Sequence, residues 1–301
     1  MSDIYQLLPA FKEYIWAGTK LKKYKKTNLS KIAECWELSF LDEGPTKVIN
    51  EHNELVNLKD AVDKFDLGDK SNNYTSFPVL IKLIDSGDSL SIQVHPSDEY
   101  ALKNENTNGK VEMWIIIDAD VDSFIYYGFN EDVKKDELKN LISNDSVLDI
   151  LNKVYVKKGD IFLIKPGTIH AIGKGITLLE IQESSNITYR LYDFNREDKN
   201  GKRRELHIDK AIDVINFKKT IVHNLSNNNE IKTEYFDVML LKINYYGKKL
   251  LFKDTFSVIT IIDGDGYINN IKAEKYHSYF VKANKEFSLK GNMDVVITKL
   301  P

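Results

Sequence analysis

The sequence predicts a mainly β fold of the jelly-roll kind, arranged as two β-domains with a few helices, and three observations predict it. Short segments rich in β-branched and aromatic residues, bounded by Gly, Asp or Asn, recur along almost the whole chain. Helical patterns are few and short. The last of them is followed by a polar stretch, KKTIVHNLSNNNEIKTEYF, before strand-like segments resume. Many short strands with few helices favour a sandwich or barrel over a helical or alternating fold.

Taken in order, FPVLIKLIDSG, SLSIQV, VEMWIIID, SFIYYGF, DIFLIKPG, ITLLEIQES and NITYRLYDF read as strands of a first domain, expected at 1–218. VMLLKINYYG, FSVITIIDGDG, SYFVKA and MDVVITKL read as strands of a smaller second domain, expected at 219–301. Helices are expected in NLKDAVDKF near residue 57, in HPSDEYALKN, in EDVKKDELKNLISN at 131–144 and in RELHIDKAIDVI at 204–215. Ser97 followed by two acids is a natural N-cap and first turn.

Composition narrows the function classes. The 301 residues carry 42 basic and 45 acidic side chains, a net charge of −3, with no basic block or stripe, so a nucleic-acid partner is not expected. Cys35 is the single cysteine and is expected as a small buried side chain in a reducing compartment. No basic leader with an apolar core opens MSDIYQLLPAFKEYIW, and no run of 18 apolar residues occurs. A cytoplasmic protein without a membrane partner is the expectation. The glycine pairs in GKGI and GDGYI lack the lysine and hydroxyl residue of a phosphate loop and read as turns. No Ser-His-Asp or Cys-His arrangement for nucleophilic catalysis is visible.

The chemistry is carried by polar residues set into strands. In SIQVHPSDEY, Gln93 and His95 alternate onto one face with Ser91 behind them. In GKVEMW, Lys110, Glu112 and Trp114 do the same, and His170 follows a Pro-Gly turn in KPGTIHAI. His, Glu and His form a nitrogen/oxygen set suited to zinc, with Gln93 able to add an amide oxygen. Their separations, 17 and 58 positions, make sense only where three strands converge. Singly, each is more often an ordinary hydrogen-bonded or surface residue. His52, His207, His223 and His277 have no such neighbours and read as structural or surface residues. Glu180 and Gln182 share one face of their strand, with Glu183 on the other. Arg190 shares a face with Thr188 and Tyr192, where an inward role competes with a surface salt bridge.

Together these residues resemble the type I phosphomannose isomerases in their short bacterial form. The resemblance runs through YIWAGTKL, ECWELS, PVLIKLIDSGDSLSIQVHPSDEYA, GKVEMWIIID, KPGTIHAIGKGITLLEIQESSNITYRLYDFNR and RELHIDKAID, in the family's order. It implies two cupin-like jelly rolls with one zinc ion in the N-terminal one, held by Gln93, His95, Glu112 and His170. It also implies interconversion of mannose 6-phosphate and fructose 6-phosphate, with a small sugar phosphate as the partner. The family's catalytic arginine matches Arg190, the acid ten residues before it Glu180, and a serine near the substrate phosphate Ser91. Within YIWAGTKL, Trp16 and Lys20 are the expected further substrate contacts. Two positions depart from the pattern: Ala17, where a Trp-Gly-Gly element is common, and Ser97, where Asp or Lys usually follows QVHP. Glu180 is the expected proton shuttle and Lys110 its rival. The alternative function is a zinc cupin that binds a sugar phosphate without turning it over, which would be expected to lose Lys110, Glu180 or Arg190. An iron- or copper-dependent cupin oxygenase would be expected to have more histidines.

Overall fold

The computed structural model describes residues 2–198 and 200–301. Three large antiparallel sheets and a two-stranded one, Lys47–Ile49 with Leu55–Asn57, build the described residues. A six-stranded sheet runs Ile161–Ile164, Glu112–Ala119, Ile176–Glu183, Val79–Ser86, Glu34–Leu38, Ala10–Lys12. A five-stranded sheet runs Leu151–Tyr155, Phe124–Phe129, His170–Ile172, Ile92–Val94, Tyr189–Tyr192. The third sheet has eight strands, its main path being Ile4–Gln6, Ser278–Val281, Ser257–Ile268, Glu286–Lys299, Asp237–Ile243, Glu230–Lys232. The mainly β, cupin-like architecture is therefore the one expected.

Side-chain alternation explains the stacking. One face of the six-stranded sheet presents Ile81, Leu83, Met113, Ile115, Leu179 and Ile181 to a core shared with Phe236, Val238, Phe256, Val258 and Phe280 of the eight-stranded sheet. The other face presents Ile84, Trp114, Ile116, Phe162 and Leu178 to Ile125, Tyr127 and Ile172 of the five-stranded sheet. Beyond that sheet, Ile92, Val94, Ala171 and Leu191 pack against Leu138, Ile142, Ala211 and Ile212 of two helices, Lys135–Ser143 and Ile208–Val214. Every residue of Val79–Ser86 and Ile176–Glu183 is buried. That is why these segments read as near-continuous apolar runs rather than alternating ones.

Every strand expected from the sequence forms, and several short ones join them, such as Ile4–Gln6, Glu34–Leu38 and Lys248–Leu251. The expected helix near residue 57 splits into two single turns, Leu58–Ala61 and Lys64–Leu67. Ser97 caps Asp98–Asn104 by accepting from the Tyr100 amide. Ile4–Gln6 hydrogen-bonds to Ser278–Val281, so the eight-stranded sheet combines strands from both sides of residue 218. No helix among the described residues is long and apolar enough to cross a membrane.

The Pro166–Gly167 turn ties the two histidine segments together. Gly167 donates its amide to the His95 carbonyl at 2.9 Å, and its own carbonyl accepts from Asn216 at 2.9 Å. Its φ of +79° lies in the left-handed region, and a Cβ there would sit 2.8 Å from the Val214 carbonyl oxygen. Gly167→Ala should therefore cost roughly 1–3 kcal/mol and lower the thermal midpoint. A midpoint unchanged by differential scanning calorimetry would remove this turn from the stability argument.

Candidate active site and metal centre

Paired strand positions point to the same side of a sheet. Trp36, Lys82, Glu180 and Trp114 lie in one such row across the six-stranded sheet, and Leu80, Gln182 and Glu112 form the next. On the facing sheet His170, Gln93 and Arg190 are paired in register. The first of these rows and the facing one converge on a cavity of about 260 Å³, with Glu180, Lys82, Glu34 and Lys110 on one wall and Ser91, Gln93, Thr188 and Arg190 on the other.

His95, Glu112 and His170 are all buried, and one potential ligand atom from each lies within 4.8 Å of the others. Each imidazole uses Nδ1 on a backbone carbonyl: His95 on Ile187 at 2.9 Å, His170 on Thr168 at 2.8 Å. Those acceptors fix the proton on Nδ1 and turn a bare Nε2 towards Glu112. The Nε2 atoms sit 3.2 and 3.6 Å from the Glu112 oxygens. Neither Glu112 oxygen nor His95 Nε2 has a partner with hydrogen-bond geometry, although Lys110 Nζ is 2.6 Å from Oε1. Burial opposes ionisation of Glu112, but the Lys110 ammonium beside it outweighs burial and holds the carboxyl well below its usual range. Burial, reinforced by Lys110, pushes His95 down to about 3, and burial lowers His170 as well. Two neutral imidazoles and an ionised carboxylate with orphaned lone pairs suit a divalent cation of zinc type. Gln93 Nε2 lies 3.3 Å from His170 Nε2, so its amide belongs to the same cluster.

Beside this cluster, Glu180 is clamped from two directions. Trp114 Nε1 donates to its Oε2 at 3.0 Å, and Lys82 Nζ is 3.1 Å from Oε1. Burial and then the charge of Glu112 raise its pKa, while Lys82 and Lys110 oppose the rise. Lys82 also approaches Glu34 at 3.9 Å, and Trp36 Nε1 donates to the same Glu34 oxygen at 2.6 Å.

Positive charge gathers across the cavity. Arg190 Nε donates to Ser91 Oγ at 3.3 Å and Nη1 to the Glu205 carbonyl at 2.7 Å. Its backbone is pinned by His207, whose Nδ1 accepts the Arg190 amide at 3.2 Å. Arg204 also lines the cavity, with Nε and Nη2 on Asp193 at 2.7 and 2.6 Å. Arg196 binds the same carboxylate but is otherwise engaged by the Ser89 carbonyl. Tyr14 and Trp16 close this end, their ring centroids 5.5 Å apart.

The structure thus brings Gln93, Lys110, Glu180, Arg190, Ser91 and Trp16 around one space, with the buried cluster of His95, Glu112 and His170 directly behind Lys110 and Gln93. Lys20 is a correction: it does not line the cavity, because its ammonium is bound by Asp118 at 2.7 Å and Asp120 at 2.8 Å. Lys110 precedes the strand rather than lying within it, since the strand begins at Glu112. An irregularity after Arg190 turns Tyr192 away to pack with the helix-side core, whereas Thr188 stays at the cavity. Lys82, Glu34, Arg204 and Tyr14 are the residues sequence reasoning missed. Lys82 had a usable signal, a lysine in the middle of the apolar run VLIKLI.

Comparison with known proteins supplies the family. Residues 4–117 match the model of the phosphomannose isomerase type I catalytic domain. The chain is 36% identical to mannose-6-phosphate isomerase ManA of Bacillus subtilis, covering 97% of each protein. It is 32% identical to the mannose-6-phosphate isomerase of Streptococcus mutans, covering 94% of this chain and 93% of the other. The crystal structure of the mannose 6-phosphate isomerase from Bacillus subtilis superposes with a TM-score of 0.88 over 99% of both chains, at 30% identity. With such likeness from end to end, in sequence and in fold, the chain belongs to the type I phosphomannose isomerases.

Proposed function

We propose that this chain interconverts mannose 6-phosphate and fructose 6-phosphate by moving a proton between C2 and C1 through an enediol(ate), with zinc held by His95, Glu112, His170 and Gln93. The observation that carries the reading is the placement of Glu180: a buried carboxyl with raised pKa, facing the same cavity as Lys110 and Gln93, which touch Glu112 and His170 of the ligand cluster. Zinc, when bound, supplies a Lewis acid that polarises the sugar's carbonyl oxygen.

The chain's own residues do the rest. Glu180 takes the proton from one carbon and returns it to the other, its elevated basicity matching it to carbon acids better than an exposed carboxylate. Trp114 and Lys82 hold both of its oxygens, so the base keeps one orientation through both half-reactions. Arg190, braced by Ser91 and the Glu205 carbonyl, is a fixed positive charge for the oxyanion that develops. Lys110 is placed to donate to a sugar oxygen during ring opening, which leaves the carbon-bound proton to Glu180. Arg204 seats the phosphate: Nε and Nη2 are committed to Asp193, and its Nη1 donors have no protein acceptor among the described residues. Cytoplasmic placement accompanies this reading, because both sugar phosphates are intracellular metabolites in kind.

The deciding experiment is the initial rate of fructose 6-phosphate formation by chelator-stripped protein, before and after zinc. Loss and recovery are expected, whereas a folded, zinc-loaded protein without turnover would favour the non-catalytic binding cupin. Glu180→Gln should retain zinc and lose roughly 10²–10⁴-fold in kcat; near-normal turnover would remove Glu180 from the proton path. Arg204→Gln should raise KM for mannose 6-phosphate about 10–100-fold, as expected for one charge-assisted hydrogen bond, with kcat less affected. An unchanged KM would place the phosphate elsewhere.

A further inference from the structure

Glu183 lies on the opposite face of its strand from Glu180, is only 3% exposed, and plays no part in the cavity. Its Oε2 accepts the Val111 amide at 2.8 Å. Asp98, the first residue of Asp98–Asn104, accepts the Gly109 amide at 2.7 Å on Oδ1 and the Tyr235 hydroxyl at 2.9 Å on Oδ2. Both carboxyls line the same cleft, and the Asp98 carboxyl beside Glu183 is among the causes that raise it. Between them they hold the amides on either side of Lys110, immediately before Glu112. The fit is tight at Gly109, where a Cβ would lie 2.4 Å from the Asp98 nitrogen.

A hydrogen bond between two carboxyl groups needs a proton, since two carboxylates have only acceptors to offer. We propose that Asp98 and Glu183 share one proton and act, through the loop they clamp, as positioning residues for Lys110 and Glu112. The catalytic part of this inference rests on the isomerase reading above; the shared proton does not.

The surroundings support the assignment. Burial raises the Glu183 carboxyl to about 8, the Asp98 charge adds to it, the Val111 amide opposes, and Glu234 adds further. Tyr235 and Tyr74, from the segments before Asp237–Ile243 and Val79–Ser86, also face this carboxyl, and both are themselves raised by burial. The charges that act on it most, those of Asp98 and Glu234, are both negative and favour keeping the proton. A cleft lined by Tyr74, Asn108, Asp98, Glu183 and Tyr235 gives the pair a route to solvent. Because the folded value lies above the ordinary 4.5, the proton stabilises the fold fully below the ordinary value, and this contribution is lost as pH rises towards about 8. Above that the clamp is two like charges in a buried space.

Glu183→Gln places a permanent donor where the proton sits and keeps an oxygen for the Val111 amide. In the parent protein kcat/KM should fall about tenfold per pH unit above the clamp's pKa, as for loss of one essential proton. The melting temperature should fall as pH rises from about 4.5 to 8 and level off above that, and exchange of the Gly109 and Val111 amides, corrected for intrinsic base catalysis, should accelerate over that lower range. In Glu183→Gln the melting temperature and amide exchange should be flat between about pH 5 and 8, and kcat/KM flat between about pH 7.5 and 9, to within about twofold for the rates. Asp98→Asn also supplies a permanent donor and gives a second reading if the first variant does not fold. If either folded variant loses stability and amide protection with pH as the parent does, the shared proton is overturned. Melting and exchange read this whether or not the protein turns over a sugar. If those two become flat while the alkaline limb of kcat/KM stays, the proton stands and the positioning role falls.

Discussion

One constraint organises the N-terminal half: a row of charge buried on a sheet that is covered on both faces. Glu34, Lys82, Glu180, Glu112 and Lys110 are each buried within the layer between the six- and five-stranded sheets. Unpaired charge at such depth is costly, so each ammonium must be shared among carboxylates and each carboxylate must find donors. Lys82 answers to both Glu34 and Glu180, Trp36 and Trp114 lend their N–H groups, and Lys110 leans on Glu112. Three carboxylates against two ammoniums leave an excess of negative charge beside two neutral imidazoles. Across the cavity the imbalance reverses, with Arg190, Arg196 and Arg204 around Asp193. The cavity is thus polarised along its length, which suits a neutral sugar ring carrying an anionic tail.

How far the sequence shows this depends on whether a signal is local. Gln93, His95 and Glu112 were visible because a polar side chain breaks an otherwise apolar strand, and His170 because a Pro-Gly turn aims it. Lys82 breaks its strand in the same way, yet a mid-strand lysine also occurs wherever its stem packs and its head reaches water. Nothing local distinguishes the two cases; the partner that does, Glu180, is 98 positions away. Lys20 misled for the converse reason. Its segment carries the family resemblance, but Asp118 and Asp120, which bind it, come close only through the fold. Arg204 sits in a polar, turn-rich stretch with no period to place it, and only Asp193 and the cavity give it meaning.

The same distinction divides the strands. The long ones of the six-stranded sheet were legible because both their faces are apolar or nearly so. Three-residue strands such as Ile4–Gln6 and Glu230–Lys232 carry too few residues for a period, and their existence depends on partners supplied from elsewhere. The eight-stranded sheet covers Ile81, Leu83, Ile115 and Ile181 on the back of the strands that carry Lys82, Glu112 and Glu180. Its packing is therefore the rear wall of the site, although it contributes no residue to the cavity.

The pairing of Ile4–Gln6 with Ser278–Val281 also has a consequence in time. On the ribosome Ile4–Gln6 emerges long before its hydrogen-bonding partner Ser278–Val281 has been made. At roughly 5–20 residues per second, that strand spends on the order of tens of seconds with its backbone groups unpaired. The eight-stranded sheet cannot close, nor its shared core with the six-stranded sheet be completed, before Ser278–Val281 has been made. Its final assembly therefore follows synthesis of every segment around the cavity, however early those segments take shape.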